Sequence, residues 1–340
     1  VTVSQYALEH GADYLGVARL YEAIKLREAN IEAPILIFGY TDPAEVESLV
    51  EYDLTQTIFS YENAKALSSA AERLGKKINI HLKVDTGMGR LGMLIGNQMI
   101  RVSKKLYDDL IHEVESILHL PGLELEGIYT HFACADESDK RYTVVQFDQF
   151  MMFLNRLKIA GIEVPLTHAA NSAAIIDLPG MHLDMVRAGI LIYGLYPSDS
   201  VNKDKIELRP AMTLKTKMIQ LKDVPAGFNI SYGSIYHTEK QTKIATVPVG
   251  YADGFNRLLS NLGHMLILGH RAPVVGRVCM DLTMLDVGHI PGVSMEDEVV
   301  IIGRQQELTI SADEIAASLN TINYEIVSTV TDRIQRIYIQ

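Results

Sequence analysis

Three stretches of this 340-residue sequence gather charged and hydrogen-bonding side chains where strands should end. In HLKVDTGMGRLG, alternation puts Ile80, Leu82 and Val84 on one face and His81, Lys83 and Asp85 on the other. If the apolar face meets helices, Lys83 points the opposite way, where a bare ammonium must be paired or chemically altered. A Lys83–Asp85 ion pair and a special lysine are equal readings of that pattern. Gly87 and Gly89 permit a tight turn presenting Arg90, whose plainer reading is a solvated arginine. In LTHAANSAAIIDL a strand should end at Asn171, with Ser172 as N-cap of a short helix whose free N–H groups suit an anion. In MVRAGILIYG, read as a strand, Gly189 allows close backbone approach. Two adjacent anion-ready loops favour a phosphate over a mere helix cap. Arg187 lies in the same apolar run and needs a dedicated partner, since it cannot neutralise itself. His131 and His168, near strand ends, are candidates for that network, although a lone histidine is more often a core residue. Neither has metal-site spacing with Cys or Glu, so no metal is expected.

Such groups need a scaffold that collects strand ends. Strand-like runs YLGVA, PILIFG, TIFS, INIHLKVD, EGIYTHF, LTHAAN and VRAGILIYG alternate with amphipathic helical stretches, the longest being QMIRVSKKLYDDLIHEVESIL. Strict β/α alternation implies a parallel sheet clothed by helices. The expected class is α/β: a (β/α)8 TIM-type barrel over residues 1–200, followed by a mostly-β domain over 201–340. Barrel chemistry sits where strands end, and phosphate sites commonly follow the last two strands. Only about seven strands can be counted, and the first helix, with Val3, Tyr6 and Ala7 on one face and Gly11 ending it, has no strand of its own. The eighth is expected ahead of Val1. The polar stretch SDSVNKDKIELRP reads as a linker to short strands interrupted by one helix, SADEIAASL.

Composition narrows the class. A net charge of −11 leaves no basic patch for phosphate backbones, so nucleic acid is not an expected partner. No run of 18 apolar residues exists, and the best candidate, MVRAGILIYGLY, carries Arg187, so no membrane span is expected. Two cysteines, Cys134 and Cys279, suit a reducing, cytoplasmic setting rather than a disulfide framework.

KVDTGMGRLG, YTHFACADE, HAANSAA, MVRAGILIYG, ISYGSIY, PVGYADG, GRVCMD and TINYE, in this order, cover nearly the whole chain. Together they resemble the alanine racemase family of pyridoxal-phosphate enzymes. The resemblance implies a cytoplasmic homodimeric isomerase that interconverts L- and D-alanine by two-base proton transfer, supplying D-alanine for peptidoglycan. It implies that Ser172, Gly189, Ile190 and Tyr324 hold the cofactor phosphate, with Asn171 nearby. Arg187 would face the pyridine nitrogen, where a permanent cation discourages ring protonation. Arg90 would meet the cofactor's phenolic oxygen and help place the substrate carboxylate. Tyr232 would be a catalytic base reaching the site of the partner subunit; its sequence context alone suggests an ordinary strand aromatic. His131 would hydrogen-bond that tyrosine and link it to Arg187, with His168 behind. Met280 would contact the substrate carboxylate, Tyr251 and Tyr324 would narrow the entrance, and Lys83 would be carbamylated. The family's Schiff-base lysine, in a motif like KANAYGHG, matches no lysine here and is expected on the strand ahead of Val1.

Two other enzyme readings bear on this expectation. Related barrel decarboxylases for basic amino acids place an acidic residue at the pyridine nitrogen and use a glycine-rich phosphate loop, which Arg187 and HAANS do not match. A serine or broad-specificity racemase stays open, because one hydroxyl gives modest discrimination. An N-terminally truncated, inactive cofactor-binding form is the non-enzymatic alternative.

Overall fold

A computed structural model describes residues 1–95 and 104–339. The chain divides into two units: Val1–Ile192 with Tyr196–Glu207, and Tyr193–Leu195 with the chain from Leu208 onward.

The first unit alternates strands and helices. After α1 (Thr2–Glu9) come β1 (Leu15–Val17), α2 (Leu20–Glu28), β2 (Ile35–Ile37), α3 (Val46–Glu51), β3 (Thr55–Ile58), α4 (Tyr61–Arg73) and β4 (Ile78–Asp85). The short β5 (Met93–Leu94) precedes α5 (Lys104–Leu118), β6 (Leu123–Tyr129), α6 (Arg141–Ile159), β7 (Leu166–His168) and α7 (Ser172–Asp177). Helix α4 shows why the elements form: Ser60 caps it by accepting from Asn63 N at 3.2 Å. Its Ala64, Leu67 and Ala71 are buried at helical spacing, and Gly75, at φ 65°, follows its end.

The sheet runs β1-β2-β3-β4-β6-β7, all parallel, with β5 pairing β4. Ile35, Ile37, Ile58, Ile80, Leu82, Val84 and Ile128 share one core with Leu67, Phe150 and Phe153 of the helices. This is a parallel half-barrel, and among the described residues β1 and β7 are its outer strands. The register slips once: Leu125 pairs Ile80 and Gly127 pairs His81, leaving Glu126 unpaired as a bulge.

VRAGILIYG is not a strand. One bridge, His168 to Met185, extends the sheet, and Ile190–Tyr193 form a 3-10 turn. Gly189 N turns aside to bond Ser172 Oγ rather than a neighbouring strand. The helical run expected from Gln98 is described from Lys104 onward, its beginning lying outside the described residues.

The second unit is mostly β. Its strands are β8 (Leu214–Lys217), β9 (Gln220–Val224), β10 (Asn229–Ile230), β11 (Tyr236–His237), β12 (Thr242–Val247), β13 (His264–Ile267), β14 (His270–Pro273), β15 (Thr283–Asp286), β16 (Glu298–Gln305) and β17 (Leu308–Ile310). Helices α8 (Ala312–Leu319) and α9 (Asn323–Ser328) follow. The run AMTLKTKMIQLKDV splits between sheets: β8 pairs β16, whereas β9 joins β12 and β15. No helix among the described residues is long and apolar enough to cross a membrane.

Candidate active site

Strand β4 delivers Lys83 into the concave side of the half-barrel, where it is buried. Its Nζ lies 5.5 Å from the ring centroid of Tyr129, on β6. The Lys83–Asp85 pair does not form: Asp85 Oδ1 accepts from Gly87 N and Met88 N, both at 2.8 Å, and Oδ2 from Gly89 N at 2.9 Å. That carboxylate shapes the turn leading to exposed Arg90. Gly92, at φ 129°, completes it, for a Cβ there would lie 2.8 Å from Asp85 N. Burial, reinforced by Arg90 and Arg187, lowers the Lys83 ammonium to about 8. None of these three cations forms an ion pair with a carboxylate among the described residues.

Arg187 leaves the His168–Met185 bridge as part of a loop and folds back over the sheet. It donates to His168 Nδ1 at 2.7 Å, Thr130 O at 2.8 Å, Ala169 O at 2.9 Å and His131 Nδ1 at 3.2 Å. Its guanidinium also lies 5.3 Å from the Tyr129 ring, on which His168 stacks at 4.6 Å. Burial, partly offset by Tyr129, lowers Arg187 to about 10, so it remains a cation at neutral pH. All its partners are neutral, and its Nε–H meets no acceptor among the described residues.

Burial lowers His131 to about 3, with Arg187, Arg90 and Lys83 adding their repulsion. Burial also holds His168 well below the ordinary range. Both rings are therefore neutral. Since a guanidinium only donates, both accept at Nδ1 and carry their protons on Nε2.

Asn171, not Ser172, caps α7, its Oδ1 accepting from Ala174 N at 3.1 Å. The cap moves back one residue because Ser172, already helical, turns its Oγ to accept from Gly189 N at 3.0 Å. The Ser172 and Ala173 N–H groups open the helix, and neither they nor Ile190 N have a described acceptor. A Cβ on Gly189 would meet only Ser172 Oγ, at 3.6 Å, so the backbone here is open to a group bound against it.

Four expected residues belong to the second unit. Tyr232 is 72% exposed and sits on a turn rather than in a strand. Ser231 (φ 65°), Gly233 (φ 73°) and Ser234 (φ 48°) are all left-handed, a strained run of the kind that presents functional side chains. Ser231 Oγ donates to Arg277 O at 2.7 Å, and Tyr251 N donates to Cys279 O at 3.0 Å. One segment, 277–280, thus holds the Tyr232 and Tyr251 turns and carries Met280. Gly250 is required there, since a Cβ would lie 2.3 Å from the carbonyls of Cys279 and Met280. Tyr324 is partly exposed on α9, whose first residue, Asn323, donates to Asp313 Oδ1 at 2.7 Å.

The structure therefore brings Lys83, Arg90, His131, His168, Asn171, Ser172, Arg187, Gly189 and Ile190 together in the first unit. It adds three residues that sequence reading passed over. Tyr129 underlies both buried cations, and its place in YTHFACADE was its only signal. His81 shares the inward face with Lys83, a signal present in the alternation but unused. Glu126 faces inward by alternation with Leu123 and Leu125, a signal present but unused, and the bulge beside it turns Gly127 inward as well.

These residues fit pyridoxal phosphate. The Ser172–Gly189 cradle offers N–H donors and a hydroxyl to an anion, and the spare Arg187 Nε–H suits an unprotonated ring nitrogen. A half-barrel carrying such a cradle and cation, followed by a mostly-β unit, defines the barrel class of pyridoxal-phosphate enzymes. Within it, residues 1–197 match the alanine racemase N-terminal domain and residues 211–338 the alanine racemase C-terminal domain. The chain belongs to the alanine racemase family, which depends on pyridoxal phosphate. It is 52% identical to the alanine racemase of Desulfosudis oleivorans, covering 99% of this chain and 85% of that protein. It is 51% identical to that of Methanococcus maripaludis, covering 100% and 88%. The solved alanine racemase of Clostridium difficile 630 superposes with a TM-score of 0.91 at 40% identity, covering 100% of this chain and 85% of that one.

Proposed function

We propose that this protein is a cytoplasmic, homodimeric isomerase that racemises alanine. The observation that carries the reading is Arg187, a lasting cation held by neutral partners that leave its Nε–H unused among the described residues. When bound, pyridoxal phosphate supplies an electron-withdrawing ring that acidifies the substrate's α-hydrogen. Ser172, Gly189 and Ile190 hold its phosphate, with Asn171 fixing the helix start and Tyr324 adding a hydroxyl. Arg187 faces the ring nitrogen without giving up a proton, which favours return of the α-hydrogen over side reactions. Arg90 and Met280 orient the substrate carboxylate, and Tyr251 narrows the entrance.

Tyr232 of a second copy serves as one of the two bases. His131 directs its Nε2–H toward that phenol and ties it to Arg187, which is bonded to the other side of the ring. His168 steadies Arg187 from behind. Lys83 is carbamylated, because its lowered pKa leaves neutral amine to capture carbon dioxide, and the resulting anion offsets Arg90 and Arg187. The second base is the lysine that binds the cofactor covalently, expected on a strand beside β1 or β7, the outer strands among the described residues. Borohydride reduction of the holoenzyme followed by peptide mapping should mark a lysine outside this sequence, and a mark on Lys83 or another lysine of this chain would refute it.

The function itself is tested on the product of the full reading frame, loaded with pyridoxal phosphate. Chiral chromatography should show D-alanine forming from L-alanine, and the reverse, faster than the same conversion of serine. Equal or greater rates with serine would assign a broader racemase; pyruvate or amine products would overturn the reading.

A further inference from the structure

Building on that reading of the site, we propose that His81 and Glu126 are positioning residues that lock His168, and through it Arg187, into one protonation pattern. The geometry forms a line: Arg187 Nη1 to His168 Nδ1 is 2.7 Å, and His168 Nε2 to His81 Nδ1 is 2.9 Å. His81 Nε2 then lies 3.6 Å from Glu126 Oε2, an electrostatic contact rather than a full hydrogen bond. Both imidazoles are fully buried, and their order follows from donor counting. Arg187 cannot accept, so His168 accepts at Nδ1 and its proton sits on Nε2. His81 must then accept at Nδ1, and its own proton sits on Nε2, facing the carboxylate. Reversing the order would set an imidazole N–H against a guanidinium N–H.

The sequence builds this line deliberately. Leu123 and Leu125 face the helices and so put Glu126 inward, and the bulge in β6 then sets Gly127 beside His81 and returns Ile128 to the helix-facing side. The next residue is Gly127, where a Cβ would lie 2.8 Å from His81 Cε1, so only glycine leaves room for the ring. Glu126 Oε2 is further fixed by Thr55 Oγ1 at 2.8 Å and Tyr14 OH at 3.0 Å, both donating to it. His81, helped by these two donors, holds the carboxyl below its usual range despite partial burial. An anion is thus anchored at the far end of a two-histidine line from the cation.

The test replaces Glu126 by glutamine, which can donate to His81 Nε2 and so favours the reversed order. On the full-length, cofactor-loaded protein with ¹⁵N-labelled histidine, wild-type His168 should show protonated Nε2 and unprotonated Nδ1. E126Q should shift His168 toward the reversed or mixed tautomer and lower kcat roughly tenfold with little change in KM, comparable to losing an outer hydrogen-bond partner. Glu126→Asp, keeping the anion, should restore the wild-type tautomer. An unchanged His168 tautomer in folded E126Q would overturn the proposal. If E126Q does not fold, Tyr14→Phe, which removes one donor to Glu126, should still move the His81 Nε2 resonance; no movement would refute the line. Because the tautomer is read without turnover, a shift in a protein that fails to racemise alanine would uphold the line while refuting the assigned function.

Discussion

Among the described residues, Lys83, Arg90 and Arg187 form a cluster of positive charge without a contacting carboxylate, and that imbalance governs the site's residues. Two outcomes follow at this scale. Lys83 is expected to yield a carbamate signal by ¹³C NMR in labelled bicarbonate, lost in Lys83→Ala; an unmodified wild-type lysine at neutral pH would refute the modification. Arg187→Glu is expected to slow racemisation by roughly 100-fold, the scale of losing a preorganised donor, and to raise side products, since a carboxylate would let the ring nitrogen hold a proton. Wild-type rate and partition in that variant would remove Arg187 from its role. The neutral histidines add a pH signature. Unfolded histidine takes up a proton near 6.5, whereas folded His131 does so only near 3, so its contribution to stability is present above the upper value and lost as pH falls through that window. Thermal melts should therefore decline less steeply on the acid side in His131→Asn than in wild type. Much of this cluster was legible: alternation turned Lys83 inward, and a charged residue in an apolar run marked Arg187. What pairs with each was not, because Asp85 spends its oxygens on three backbone N–H groups that no side-chain pattern encodes.

At the scale of elements, the loops after β4 and β7 carry the burden. Asn171 rather than Ser172 caps α7, freeing Ser172 to meet Gly189 and the anion. Asn171→Ala is expected to lower stability by about 1 kcal/mol and to weaken cofactor phosphate binding, read by thermal melt and by cofactor titration. The stretch VRAGILIYG shows where sequence reading misleads. Its apolar run mimics a buried strand, yet Gly189 and the 3-10 turn that follows serve the cradle instead of a ladder. At Glu126 the alternation with Leu123 and Leu125 already pointed inward, and what no period of two could show was the bulge that sets Gly127 beside His81. Tyr232 likewise reads as a strand aromatic, and only three left-handed residues beside it reveal a presenting turn.

For the whole molecule, β/α alternation and the later run of short strands made both units readable, since each follows from hydrophobic period alone. Which strands pair in the second unit was not readable, because β8 and β9 adjoin in sequence but enter different sheets. Activity shared between copies is expected from the role given to Tyr232. Mixing Tyr232→Phe with Arg187→Glu subunits should restore part of the activity in heterodimers, and none, with exchange verified, would mean a site built from one chain. The central claim is proton exchange by two separate groups, and isotope tracing tests it most directly. L-alanine turned over briefly by the full-length holoenzyme in deuterium oxide should give D-alanine carrying deuterium at Cα, while unreacted L-alanine stays largely unlabelled. D-alanine that keeps the original α-hydrogen would mean one group carrying the proton across both faces, and would contradict this account.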